Sequence, residues 1–289
     1  MAIFWAVISL IFSACIDITF KLYAGKSRSS GVLISGCGLV WIGMAVFSLN
    51  HVPSSWSGTL FWGLLSGFFS AGGNLLMLGA MRTLDVGVCS TVYRLNMVPA
   101  LLGAVLFLGE EMSGRDMLGV VFALLAVAGF VPWQNRGSGR KLVLPALGVM
   151  VLASLMRASM GLSYRYGFTH GADRDWVVFL NGIFWFAGGW GYYWVYERRR
   201  RQLVREQPRP GRKSQGLYVL LAGVFVGGNV FAMALSLQLG NASVVLPIAQ
   251  MSFVLTGLIG VLFFKEKVGF CKGIAMLCGI AAVLILSLA

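Results

Sequence analysis

Apolar residues run through this chain with little interruption. Short polar breaks divide the runs into stretches of about 20 residues, the length a helix needs to cross a bilayer core. Ten such stretches fall at 3–23, 31–50, 58–81, 86–108, 114–133, 142–166, 176–196, 214–238, 241–264 and 268–288. A membrane barrel strand would alternate polar and apolar residues, and these runs do not alternate. The pattern predicts an all-α integral membrane protein with ten transmembrane helices.

The pattern also repeats. Gly72-Gly73-Asn74 is followed by a polar break, an apolar run and Val105-Leu106-Phe107-Leu108-Gly109-Glu110. Gly227-Gly228-Asn229 is followed by another break, another run and Val261-Leu262-Phe263-Phe264-Lys265-Glu266. The triplets lie 155 residues apart and the glutamates 156 apart, so the register holds with one residue of slack. The chain is two versions of one half, 1–133 and 142–289, joined by a short basic loop within a single membrane domain. Five spans per half is an odd number, so the halves must enter the membrane in opposite directions. Inverted repeats of this kind characterise secondary transporters, with the substrate held near the midplane between them.

Composition narrows the class further. Hydrophobic residues make up 58% and charged residues 11%, well short of the roughly one quarter charged in soluble domains. The 38 glycines suit close helix packing, and Gly63/Gly67, Gly223/Gly227 and Gly269/Gly273 show small-xxx-small spacing, expected to pack helices within one subunit. Phe12-Ser13-Ala14-Cys15 loosely resembles a lipoprotein cleavage box. No basic residue precedes the run, so it is expected to remain as an uncleaved first helix. The cysteines Cys15, Cys37, Cys89, Cys271 and Cys278 show no metal or redox spacing and are expected to be small core residues.

Charge sets the expected orientation. Loops after odd-numbered spans carry 18 lysines and arginines, and loops after even-numbered spans carry three: Arg115, Arg165 and Arg174. The positive-inside rule then places the odd loops in the cytoplasm and both termini on the periplasmic side of an inner membrane. The run from Arg198 to Lys213 is read as an orienting loop that touches anionic lipid headgroups. No folded domain accompanies it, so the net charge of +13 is not taken as a nucleic-acid site.

With ten spans, glycine-rich third and eighth helices and the helix ends Val-Leu-Phe-Leu-Gly-Glu110 and Val-Leu-Phe-Phe-Lys-Glu266, the chain resembles the drug/metabolite transporter superfamily, of the EamA type. The resemblance covers nearly the whole chain. It implies a transporter of amino acids, nucleotide sugars, phosphorylated sugars, choline-like cations or drugs, with no cofactor. Familiar members are drawn with cytoplasmic termini, the opposite of the charge-based orientation.

The candidate substrate-binding residues are the polar groups inside the spans, where an unpaired charge is expensive. Asp17 and Arg94 fall at similar depth, on the order of 10 Å from the cytoplasmic face at about 1.5 Å per residue, and so are able to pair. Asp17 also has Lys21 one turn on, a local alternative. Arg157 has no acidic residue at its depth and is the strongest ligand candidate. Arg94 matches Gln250 by repeat register, which suggests a central cavity lined by Asn96 and Asn181, with Tyr93 as a stacking face. Asn74 and Asn229 are expected to hydrogen-bond helix to helix instead. Pro99 and Pro247 interrupt the fourth and ninth spans. An embedded enzyme would need clustered acids, bases or metal ligands. Only His51 and His170 are present, both in loops, and no HExxH motif, paired intramembrane carboxylates or phosphate loop appears. The adjacent Glu110 and Glu111 fall at a helix end, where paired acids are usually solvated. The expected activity is alternating-access transport of a carboxylate- or phosphate-bearing metabolite, with an amino acid or other zwitterion as the alternative.

Overall fold

The computed structural model describes all residues except 25–27, 54, 109–112, 135–139, 199–211, 240–247, 250, 266–268 and 288–289. The motif ends at Glu110 and Glu266, together with Glu111, Pro247, Gln250 and most of the basic loop, lie outside the described residues. Helices and the connections between them make up the described chain, with no strand among those residues. In chain order they are α1 (Ala2–Ala24), α2 (Ser30–Ala45), α3 (Trp56–Ala80), α4 (Val86–Arg94), α5 (Met97–Leu108), α6 (Gly114–Gln134), α7 (Arg140–Thr169), α8 (Arg174–Tyr192), α9 (Arg212–Leu239), α10 (Ser252–Phe264) and α11 (Phe270–Ser287). Four helical stretches are long and apolar enough to cross a membrane: Ala2–Ala24, Trp56–Ala80, Leu144–Phe168 and Gln215–Met233.

Local chemistry sets several boundaries. Ser29 caps α2, its hydroxyl accepting from Val32 N at 3.1 Å. Asp173 caps α8 by accepting from Asp175 N and Trp176 N, just after Gly171 turns the chain at φ +82°. The predicted fourth span divides at Leu95–Asn96 into α4 and α5. Pro99 is the reason, because it has no N–H to give the carbonyl four residues back and its ring crowds that turn. Helix α8 runs into a π-helical turn, Tyr193–Glu197, which carries Glu197 into a buried position.

Helix pairing respects the internal repeat. Helix α1 packs on α9 as α7 packs on α3, and α3 packs on α8 as α9 packs on α2. Likewise α10 meets α1 as α5 meets α7, while α2–α8 and α6–α11 map onto themselves. Exchanging the halves therefore reproduces the main helix pairs, as a two-repeat architecture leads one to expect, while smaller contacts such as α2–α3 and α1–α3 belong, among the described residues, to the first half alone.

Glycine permits the closest of these approaches. A Cβ on Gly189 would lie 2.4 Å from Ser35 N, and one on Gly31 would lie 2.5 Å from Gly189 O, so α2 and α8 touch backbone to backbone. Gly63 and Gly67 receive Leu180 and Phe184, and Gly223 and Gly227 receive Val40 and Met44, all within this chain. Gly273 departs from that expectation: the space where its Cβ would lie is open.

Candidate functional site

Four side chains meet where α1, α4 and α10 cross. Asp17, 1% exposed, accepts from Ser90 Oγ at 2.5 Å and from Thr256 Oγ1 at 3.2 Å through the same oxygen, Oδ2. Arg94 Nη2 stands 3.8 Å from that oxygen, within ion-pair range but beyond a hydrogen bond. The Arg94 Nε is buried with no partner, and its guanidinium lies 6.0 Å from the Tyr93 ring centre. Lys21 is elsewhere: its Nζ donates to Met81 O at 2.8 Å and to Leu84 O at 2.5 Å, closing the C-terminal end of α3. The local Asp17–Lys21 pairing is therefore excluded in favour of Arg94. The lysine has better partners in the carbonyls that a helix end leaves unpaired.

Arg157 stands half-buried on α7, and its Nη1 meets the Met160 sulfur at 3.6 Å. Among the described residues that sulfur is its hydrogen-bonding contact; no carboxylate comes within ion-pair range. Its charge nonetheless bears on Asp17, Tyr93, Arg94 and Tyr164. Among the described residues the Tyr93 hydroxyl, buried beside Asn74, completes no hydrogen bond. Asn181, fully buried on α8, donates through Nδ2 to the Tyr164 hydroxyl, and its Oδ1 has no partner among those residues.

The remaining candidates divide. Asn96 donates to Tyr93 O at 2.8 Å and finishes the end of α4. Asn229 accepts from Ser9 at 2.7 Å and Ser13 at 3.0 Å, a bridge from α9 to α1 as expected. Asn74 breaks the symmetry: it donates to Ser70 O, one turn back on its own helix, at 2.8 Å. The neighbouring Ser70 hydroxyl instead takes the indole N–H of Trp185 across to α8, so the interhelical bond is made by the residue one turn earlier.

Sequence reasoning missed Ser90, Thr256, Tyr164 and Glu197. Ser90 lies one turn before Arg94, and Tyr164 lies two turns after Arg157 on the same face. Helical spacing alone therefore offered both. Glu197 was hidden by the arginines that follow it. It accepts from Ser30 N at 2.8 Å and from the Ser29 hydroxyl, and has Arg82 at 4.0 Å. Arg82 in turn donates at 2.9 Å to Arg28 O and to Ser30 Oγ. This network joins the connections after the first, third and seventh spans at one end of the molecule. At the other end His51 Nε2 lies 2.6 Å from Asp173 Oδ2, and Asp173 N donates to Thr59 at 3.0 Å. Partial burial pushes the Asp173 carboxyl up, but the Trp176 amide, His51 and the Asp175 amide outweigh it, so Asp173 sits below the usual carboxylate range.

Comparison with known proteins follows the two-fold organisation. The profile of the EamA-like transporter family matches residues 1–131 and again 144–288. No curated protein sequence matches the chain. One solved crystal structure of a protein aligns with a TM-score of 0.63 at 15% identity, covering 98% of this chain and 95% of its own, a likeness of fold. The apolar helices, the paired halves and the double profile match have one explanation: the chain is a multi-pass membrane protein and belongs to the EamA-like transporter family.

Proposed function

We propose that this protein is a secondary transporter that moves a small organic anion, bearing a carboxylate or phosphate, across the inner membrane through ten spans. Its two inverted halves alternate access to a shared central site, with both termini on the periplasmic side. The observation that carries the reading is the charge balance at that site. Two arginines, Arg94 and Arg157, are set against a single acid: Arg94 stands 3.8 Å from Asp17, and Arg157 meets a methionine sulfur instead of a carboxylate. A guanidinium in an apolar interior is costly without an anion, and its planar fork suits a carboxylate or phosphate. Asp17 Oδ2 already takes two hydroxyls and faces Arg94, which leaves it less able to receive a substrate's ammonium. That favours an anion over a zwitterion.

Arg157 is the anchor because Met160 offers it only a weak acceptor. Substrate-induced thermal stabilisation of the purified protein, measured against a library of organic anions, tests the assignment. Arg157→Lys keeps the charge but loses the fork and should weaken binding by about tenfold or more, the cost of one charge-assisted hydrogen bond. Arg157→Gln should abolish binding with folding preserved. Undiminished stabilisation of the Gln variant by the same anions would make Arg157 structural and remove the main support for an anionic substrate.

A further inference from the structure

Beyond the arginines, the centre has an unfilled requirement of a different kind. Asn181 is wholly buried on α8, a single amide atom has a partner, and the other faces none among the described residues. Its partner, Tyr164, stands on α7 two turns beyond Arg157, beside Ser66 of α3. Arg157 and Tyr164 are seven residues apart on one face of α7, so about two helical turns, roughly 10 Å along the axis, separate their backbones.

An amide so placed is expensive in the empty protein. A buried acceptor without a donor carries its full desolvation cost, and native interiors leave few such groups. Nearby polar groups offer no remedy. The Ser66 hydroxyl donates to Gly63 O at 3.1 Å, and Trp185 Nε1 is taken by Ser70 at 2.8 Å. Among the described residues no group supplies the missing donor; a substrate hydroxyl would.

We infer that Asn181 and Tyr164 form a second recognition subsite that takes a hydroxyl of the substrate, so that the transported anion is a hydroxylated one. Its hydroxyl lies within about two helical turns of the group bound by Arg157. This rests on the anionic reading proposed above and deepens it. A hydroxyl suits the pair because it donates to Asn181 Oδ1 and accepts from Tyr164, whereas a simple fatty acid leaves both unfilled. A hydroxyl-bonding site discriminates strongly against an analogue that lacks the group, since the buried polar atoms are then unpaired.

The test uses the full chain purified in detergent, with gluconate and hexanoate as probes of equal carbon number. Wild type, Asn181→Leu and Arg157→Gln are melted with and without each probe. The expected results are stabilisation of wild type by gluconate at about tenfold lower concentration than by hexanoate, loss of that preference in Asn181→Leu, and loss of both responses in Arg157→Gln. Without probe, Asn181→Leu loses both the unpaired Oδ1 and the Nδ2 donor to Tyr164, so its melting temperature serves as the folding control. Gluconate preference retained in Asn181→Leu would overturn the subsite. So would a failure of gluconate to stabilise wild type at lower concentration than hexanoate. A response of wild type to other anions, phosphates included, would in that case leave the anionic reading standing without the hydroxyl subsite.

Discussion

A carboxylate that met a single arginine in an apolar core would leave most of its lone pairs empty. Asp17 avoids this by taking hydroxyls from Ser90 of the first half and Thr256 of the second, and so ties the two repeats together. Removing one partner of a buried pair leaves the other charge uncompensated, which typically costs about 3–5 kcal/mol. Asp17→Asn and Arg94→Gln should each destabilise the protein to roughly that extent. The double variant should recover part of the loss, a coupling read from melting temperatures of the four-member cycle. Strictly additive losses would mean that the 3.8 Å separation carries no energy. At the opposite end, Asp173 holds its proton less tightly than an ordinary aspartate. Its carboxylate therefore contributes stability that is full above the ordinary value near about 3.9 and is lost as pH falls through the lower folded value. The melting temperature of wild type should fall across that acid range more steeply than that of Asp173→Asn. Equal slopes would show that the His51 contact and the cap do not stabilise the fold.

Between helices, the α2–α8 crossing is the least tolerant contact. Both backbones are within reach of a hypothetical Cβ at Gly31 and Gly189, and neither is a flexible group able to move aside. Gly189→Val should force the helices apart and cost several kcal/mol, on the order of other overpacked sites or more. Gly148 of α7 has nothing within 4 Å of its Cβ position. There Gly→Ala should be neutral or stabilising by up to about 1 kcal/mol. Equal melting temperatures of Gly189→Val and wild type would contradict the close approach. The π-helical turn at the end of α8 acts at the same scale. It rotates Glu197 inward, where the carboxylate fills the unpaired amide and hydroxyl at the start of α2.

Across the whole molecule, the main helix pairs of one half recur in the other, and the proposed alternation of access rests on that inverted arrangement. The basic end is tied by Lys21, Arg82 and Glu197 to carbonyls, hydroxyls and an amide of the adjoining helix ends. The proposed orientation, with that end in the cytoplasm, rests on the 18-to-3 distribution of basic residues. A reporter fused after Ala289 should therefore behave as periplasmic: alkaline phosphatase active, a cytoplasmic fluorescent reporter dark. The reverse pair of signals would restore the orientation usual for the resemblance and reverse the side from which Arg157 is reached.

Helical class, the four long apolar helices and the internal repeat were legible in the amino-acid order because each rests on local quantities: run length, polar breaks and a register near 155 residues. The break in the fourth span was legible for the same reason, since Pro99 acts within its own turn. Pairing of Asp17 with Arg94 could be anticipated from depth, but its choice over Lys21 could not. That choice depended on the carbonyls of Met81 and Leu84, which only folding brings to the lysine. Tertiary structure alone placed Thr256 on Asp17 and Tyr164 on Asn181, and brought the charge of Arg157 to bear on two tyrosines, an arginine and an aspartate. Side-chain direction around a helix is decided by the neighbour it meets, and those neighbours lie up to 239 residues away along the chain.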